Sequence, residues 1–317
     1  MDPSPRLLPW DEIDRDAYCR LQQSAFAEIF AKNGVPIERL NRAFLEWKYA
    51  PPAGRARVAV VMHGDEMVAS NAMFPLRVVH GDEQASAWQS CDTATSPAAR
   101  GKGYFKKCIT TLRDSLSAGE TFFGYPNENS KKGFEGIGWN VAAEVPFRAR
   151  PIWWGAKVGP EIATVQTFDA RQDDLAKHLA VGADAMIERS AAYLNWRYVR
   201  HPFFAYERYQ CVHDGRVTGL LVLNQAVVRG KRVMVVMEFL AIDVRWARSM
   251  AARALRSARD GDCSMMIAIG NRPVPGLWRV PKALAPKQQL LMGQKIGPPH
   301  GALTEPWLVQ AGDWDVF

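Results

Sequence analysis

The chain has 317 residues, of which 48% are apolar and 23% charged, with 24 Gly and 20 Pro; this globular composition excludes collagen and low-complexity disorder. The longest apolar runs, such as Val233–Met237 and Met265–Ile269, have strand length and cannot span a membrane. The net charge of +7 is uneven: residues 1–150 hold 19 Lys/Arg against 18 Asp/Glu, and residues 151–317 hold 21 against 15, so the basic second half points to an anionic partner.

In chain order, the periodicity predicts a helix over 15–32, stopped at Asn33-Gly34, with Leu21, Ala25, Phe26 and Ile29 on its apolar face. A shorter helix is predicted over 38–49. Strands follow at 57–62, 67–75, 76–80 and 86–93, then a Pro-Gly loop, a helix over 104–117, a strand at 121–125 and a short helix from Ser130. Residues 141–150 read as extended. The second half repeats the outline, with a strand at 232–242, a helix over 246–259 and a strand at 264–269. This order gives an α/β fold built on mixed sheets flanked by helices.

The repeat is visible in the residues. Phe44-Leu45-Glu46-Trp47-Lys48-Tyr49 recurs as Tyr193-Leu194-Asn195-Trp196-Arg197-Tyr198, 149 positions later. Each copy continues into a Pro-containing turn, a strand-like run, a Gly/Asp turn and a second apolar run, a β-hairpin pattern. The expected organisation is therefore two related domains, 1–150 and 151–317. The N-terminus, Met-Asp-Pro-Ser-Pro, has neither the charged start nor the apolar core of a signal peptide. Five scattered cysteines (Cys19, Cys91, Cys108, Cys211, Cys263) show no C-x-x-C spacing, and the six histidines show no metal spacing. Neither a disulfide framework nor a bound metal is expected, and the default compartment is the cytosol.

The most informative segment is Thr95-Ser96-Pro97-Ala98-Ala99-Arg100-Gly101-Lys102-Gly103-Tyr104. A strand ends, two glycines let the backbone turn, and a helix begins, offering bare N–H groups and a positive dipole end to phosphate oxygens. Arg100, Lys102, Lys106 and Lys107 add positive charge. The segment lacks the G-K-[ST] ending of a Walker A loop and the third glycine of a dinucleotide fingerprint. Further on, Tyr125-Pro126-Asn127-Glu128-Asn129-Ser130 ends the next strand and leads to Ile137-Gly138-Trp139.

These two elements, in this order and spacing, resemble the GNAT superfamily of acyl-CoA-dependent N-acyltransferases. Arg100-Gly101-Lys102-Gly103-Tyr104 matches five positions of the family's Arg/Gln-x-x-Gly-x-Gly/Ala motif, with Phe105 at the sixth. The resemblance covers residues 57–145 well and the second half as a faded copy. It implies acyl-CoA as co-substrate, with the strand 90–95 (Thr93 and Thr95) lending backbone groups to the acyl carbonyl and pantetheine. By the same resemblance Arg100, Gly101, Lys102, Gly103 and Tyr104 hold the pyrophosphate, and Asn127 or Asn129 contacts the pantetheine arm. An amine attacks the thioester, and a backbone N–H near Thr93 or Thr95 meets the oxyanion. The position where many members carry a tyrosine acid is Phe134, so the thiolate leaves unaided or Tyr104 or Tyr125 substitutes. Asp92, the one carboxylate on the cofactor strand, reads either as the base or as a structural acceptor. Cys91 has no His beside it in the motif and is a poor nucleophile candidate.

At the place of the glycine loop the second half reads Ile242-Asp243-Val244-Arg245-Trp246-Ala247-Arg248. It has no glycine, and Trp246 is expected to fill the volume of a diphosphate. The following helix carries Arg245, Arg248, Arg256 and Arg259 on one face, either a solvated face or a contact for an anionic substrate. Asp313, in the acid/aromatic tail, is a candidate for the amino or sugar group, or closes a sheet edge. The resemblance implies acyl transfer from acyl-CoA to a primary amine. Paired GNAT-like domains of this size resemble enzymes that acylate the amino group of a nucleotide-linked sugar in surface-polysaccharide biosynthesis, and the basic second half agrees with such a small anionic or nucleotide-linked acceptor. An amino acid, peptide or aminoglycoside acceptor is the alternative, as is a non-catalytic acyl-CoA-binding regulator. Nucleic acid is not expected, because no strand interleaves aromatic and basic residues.

Overall fold

The computed structural model describes residues 3–33, 36–81, 83–153, 159, 161–180, 185–228, 230–285, 289–296 and 307–314. Packing divides the chain into two units: Met1–Arg77 with Ala85–Ala142 and Leu291–Thr304, and Val78–Gln84 with Ala143–Leu290 and Glu305–Phe317.

The elements run β1 (Arg6–Pro9), α1 (Arg15–Asn33), α2 (Arg42–Lys48), β2 (Arg57–His63), β3 (Glu66–His80), β4 (Glu83–Thr95), α3 (Tyr104–Asp114), β5 (Thr121–Gly124), α4 (Glu128–Glu135) and β6 (Asn140–Val145). They continue with β7 (Phe147–Pro151), β8 (Ile162–Thr164), α5 (Ala170–Ala180), β9 (Met186–Ile187), α6 (Ala191–Leu194) and a π-turn (Asn195–Val199). After these come β10 (Glu207–His213), β11 (Arg216–Val228), β12 (Lys231–Ala241), α7 (Val244–Asp260), β13 (Met265–Ile269), β14 (Trp278–Arg279) and β15 (Gln289–Lys295).

The first sheet has the order β1-β2-β3-β4-β5-β15-β6, with β9 pairing on β3 at Val78 and Val79; the second has β14-β7-β13-β12-β11-β10-β8. Among the strand pairings described, β4 with β5 and β12 with β13 are parallel, one in each sheet. The duplication extends to details of register. The bulge between Val61 and Met62 in β2 recurs between Cys211 and Val212 in β10. One reciprocal exchange breaks the simple repeat. β15, from near the C-terminus, lies beside β5 in the first sheet, and β7, which follows β6 directly, lies between β13 and β14 in the second. Pro146 breaks the predicted 141–150 extension into two strands that join different sheets.

In the first unit α3 lies against β2, burying Cys108, Ile109 and Leu112. In the second, α7 buries Trp246, Met250, Ala254 and Ala258 against strands β11 to β13. The predicted break at Pro75 is absent, because β3 runs through it. Beyond Met73, the last residue registered with β2, no β2 neighbour requires a proton from position 75. The predicted face of the first helix is also corrected. Tyr18, Leu21 and Gln22 are buried whereas Ile29 is 46% exposed. Gln22 enters the core because its amide donates to Ser70 Oγ and to the Asp92 carbonyl, a polar burial that hydropathy periodicity does not register.

Candidate active site

The site grows from the end of β4. The β4–β5 ladder runs from Ala87/Thr121 to Gln89/Phe123. β5 ends at Gly124, while β4 continues to Thr95. The parallel pair therefore opens into a wedge floored by residues 90–95. At its mouth a turn over Pro97–Ala99 precedes the loop Arg100–Gly103. Gly101 and Gly103 hold φ of +81° and +74°, left-handed backbone that favours glycine, and an added Cβ at either meets nothing within 4 Å. The requirement is thus conformational rather than steric within the fold. Gly103 is the N-cap of α3 and supplies no side-chain cap. The first turn is left with backbone donors and a positive dipole end, and has no acid. Arg100 and Lys102 are exposed beside it. These features fit a diphosphate.

Tyr104 is buried, and the Lys107 ammonium stands 5.4 Å from its ring centroid. Asn127 caps α4, its Oδ1 accepting from Ser130 N at 3.0 Å. The side chain of Asn129 lies outside the described residues. Phe134, at the position of the family tyrosine, is buried against Trp139 (ring centroids 4.3 Å apart) and Phe105 (5.3 Å), so its role there is packing. Cys91 is buried, and burial alone pushes the Cys108 thiol up to about 12.

Asp92 sits mid-strand at φ +48°, a left-handed conformation unusual for a non-glycine residue. Lys48 Nζ lies 2.7 Å from its Oδ2 and 2.9 Å from its Oδ1, and Tyr49 OH donates to Oδ2 at 2.5 Å. Tyr18 OH lies 2.8 Å from Tyr49 OH. Both phenols are pushed well above their ordinary range, first by burial and then by the Asp92 charge. The next residue, Thr93, accepts from Asn71 Nδ2 through Oγ1, and Asn71 also accepts from Ser90 Oγ at 3.2 Å. Lys48 and Tyr49 were the readable signal for this cluster, since they end the six-residue repeat. On α1's face a cavity of about 500 Å³ lies between Arg20, Leu21, Ser24, Glu66, Met67 and Ser96.

The second unit has the same frame with other contents. Tyr198, the repeat partner of Tyr49, donates to Glu238 on β12 at 2.7 Å. Glu238 and Asp313 flank the fully buried Arg189 at 3.3 and 2.5 Å. Burial pushes both carboxyls up, with Arg189 opposing it. Asp313, whose Oδ2 also accepts from Gln310 N, is thus engaged within the core. Arg245 and Arg248 are exposed on α7, with Arg245 over the Trp246 ring at 4.4 Å. Trp246 itself is 3% exposed and belongs to the core, so it does not fill the phosphate volume as expected. The seven residues 97–103 have one counterpart, Asp243, whose carboxylate accepts from Arg245 N and Trp246 N at 2.8 and 3.1 Å. An acid, not an indole, closes that helix start.

Residues 9–142 match the profile of the acetyltransferase (GNAT) domain family. A search of curated protein sequences finds no match. Among solved structures, a probable N-acyltransferase of Enterococcus faecalis V583 superposes with a TM-score of 0.62 at 14% identity, covering 92% of this chain and 73% of that one. A GCN5-related N-acetyltransferase of Anabaena variabilis gives 0.62 at 12% identity, covering 92% and 74%. N-myristoyltransferase of Saccharomyces cerevisiae, solved with myristoyl-CoA, gives 0.57 at 9% identity, covering 92% and 82%. At these identities the likeness is one of fold. No helix among the described residues is long and apolar enough to cross a membrane.

Proposed function

Since residues 9–142 match the acetyltransferase (GNAT) domain family, we propose that this chain transfers an acyl group from acyl-CoA to the amino group of a nucleotide-linked amino sugar. The observation that carries the acyl-CoA part is the uncapped start of α3 behind two left-handed glycines. Arg100–Tyr104 take the pyrophosphate there, and the β4 wedge receives the pantetheine and thioester. Asn127 flanks the arm. The basic balance of the second half, 21 Lys/Arg against 15 Asp/Glu, and the exposed Arg245 and Arg248 support an acceptor that carries phosphate.

In this reading the neutral amine attacks the thioester carbon. The backbone N–H of Thr93 or Thr95 meets the developing oxyanion, the C–S bond breaks to release CoA thiolate, and the proton shed by the new amide nitrogen passes to solvent water. A thiol with a pKa of about 8.5 leaves as thiolate near neutral pH, which suits a wedge whose α4 position holds Phe134. Asp92 has both oxygens engaged by Lys48 and Tyr49. It therefore serves as a positioning residue that holds the left-handed backbone preceding Thr93. The test is free-thiol release with a panel of amines. A nucleotide-linked amino sugar should give the highest kcat/KM, and Arg245→Ala with Arg248→Ala should raise its KM and weaken its salt dependence. Preference for a neutral or cationic amine, unaffected by these changes, would refute the acceptor assignment.

A further inference from the structure

Two separate registers align β12 with β4. The tyrosine that ends each repeat donates to a carboxylate, Tyr49 to Asp92 and Tyr198 to Glu238. The strand ends match as well, since Ser96 N donates to Val68 O and Ile242 N to Thr218 O. Both pairs place the second strand 146 positions after the first. Thr93 therefore corresponds to Phe239, the residue after the clamped carboxylate in each unit.

β12 and β13 also open into a wedge, because their ladder ends at Val236/Ala268 while β12 runs on to Ala241. The C-terminal segment enters that wedge. Gln310 forms a bridge with Gly270, and Asn271 N donates to Val309 O at 3.1 Å. The Gln310 side chain then meets β12: Phe239 N donates to its Oε1 at 2.6 Å, and its Nε2 donates to Glu238 Oε2 at 2.7 Å. Gln310 is 5% exposed and Glu238 fully buried. A clasp holds the segment in place. Arg197 donates to Gly312 O at 3.0 Å and Trp314 O at 2.7 Å, and Arg189 pairs with Asp313. A Cβ at Gly312 would stand 1.8 Å from Tyr198 OH and 2.7 Å from Glu238 Oε1, so the backbone lies directly on the tyrosine–carboxylate pair.

We infer that the second unit keeps a carbonyl-binding slot, with the Phe239 N–H as donor, and that the primary carboxamide of the chain's own Gln310 is its resident occupant. Its free ligand class is a small carboxamide, the group that also recurs along a pantetheine arm. The parallel with a thioester carbonyl on Thr93 rests on the acyl-transfer reading above; the occupancy by Gln310 does not. A slot filled in cis, beside a helix start already closed by Asp243, leaves one acyl site per chain.

The test uses the full-length protein and reads hydrogen exchange at the Phe239 amide. Gln310→Met fills similar volume without an acceptor oxygen, so Phe239 should exchange at least about tenfold faster while the fold is retained. Gln310→Ala opens the slot. Millimolar propionamide should restore Phe239 protection in this variant, isobutanol of similar size should not, and neither should affect the unmodified chain. Unchanged protection in Gln310→Met would overturn the proposal, as would protection in Gln310→Ala that propionamide does not raise. Should Gln310→Ala fail to fold, the Gln310→Met measurement decides. Loss of the acyl-transfer reading would show separately, as absent acyl-CoA binding at the first unit alongside an intact propionamide response.

Discussion

The helix that follows β4 in the first unit and the one that follows β12 in the second begin differently. α3 starts at a left-handed glycine that offers no cap. α7 starts at Asp243, whose carboxylate takes the first N–H groups for itself. Against a glycine, an Asp N-cap is worth only about a few tenths of a kcal/mol to a helix, so the larger difference is that the second unit's first N–H groups are already taken. The wedges differ in the same sense, since Gln310 bonds to β12 in the second unit while the first presents Thr93 and Thr95 on β4. One fold thus supports both an uncapped helix start and a self-satisfied one. The choice lies in a handful of residues around two strand ends.

The largest expected effect lies at the buried anchor of the first unit. Asp92→Asn removes the charge that faces Lys48, which is 2% exposed, and breaking a buried pair in this way costs about 3–5 kcal/mol. Thermal unfolding should show the loss, with kcat per folded molecule within about tenfold of the parent. A fall of about 10²-fold in kcat at unchanged stability would instead make Asp92 the general base. Next comes the loop. Gly103→Val forces a β-branched residue to φ +74°, at about 1–2 kcal/mol in stability, and should lower acyl-CoA affinity by about 10²-fold in calorimetry. Retained affinity would remove the loop from the site.

A smaller, pH-dependent effect sharpens the contrast at the turns that follow the repeat. Where the first unit has Pro52, the second has His201, whose Nδ1 accepts from Phe203 N and Phe204 N. Burial, aided by Arg197, lowers its pKa to about 3 from 6.5. Between those values the unfolded chain binds a proton that the folded chain refuses, so stability rises with pH across this window and is lost as pH falls. The slope is at most about 1.4 kcal/mol per pH unit. His201→Asn should flatten it in denaturant titrations at pH 4 to 7, and an unchanged slope would assign the acid sensitivity elsewhere.

The parts of this fold carried by local pattern were legible in the sequence. The helices at 15–33, 104–114 and 244–260 and most strands stand close to where periodicity put them, and the repeat pointed to the duplication. What escaped the sequence was non-local. Nothing in residues 289–295 marks them as a strand of the first sheet, because exchange between sheets has no hydropathy signature. Gln22, Gln310 and Asp313 are polar residues buried through specific partners, which a reading based on apolar faces leaves at the surface. Trp246 falls in the phosphate volume only if the two loops are equal in length, and the short loop that makes Asp243 the cap has no signature in the residues themselves. In the site, the repeat marks Lys48 and Tyr49 but not the clamp they form, since their partner Asp92 lies more than forty positions away.

The central claim is that one unit receives acyl-CoA and the other is closed to it. Equilibrium titration of acyl-CoA into the full-length chain tests this most directly, with the Asp243→Ala variant titrated in parallel. Saturation at one equivalent per chain in both proteins, with affinity weakened about 10²-fold by Gly103→Val, is the predicted result. A second equivalent in either protein, or binding indifferent to Gly103, would contradict it.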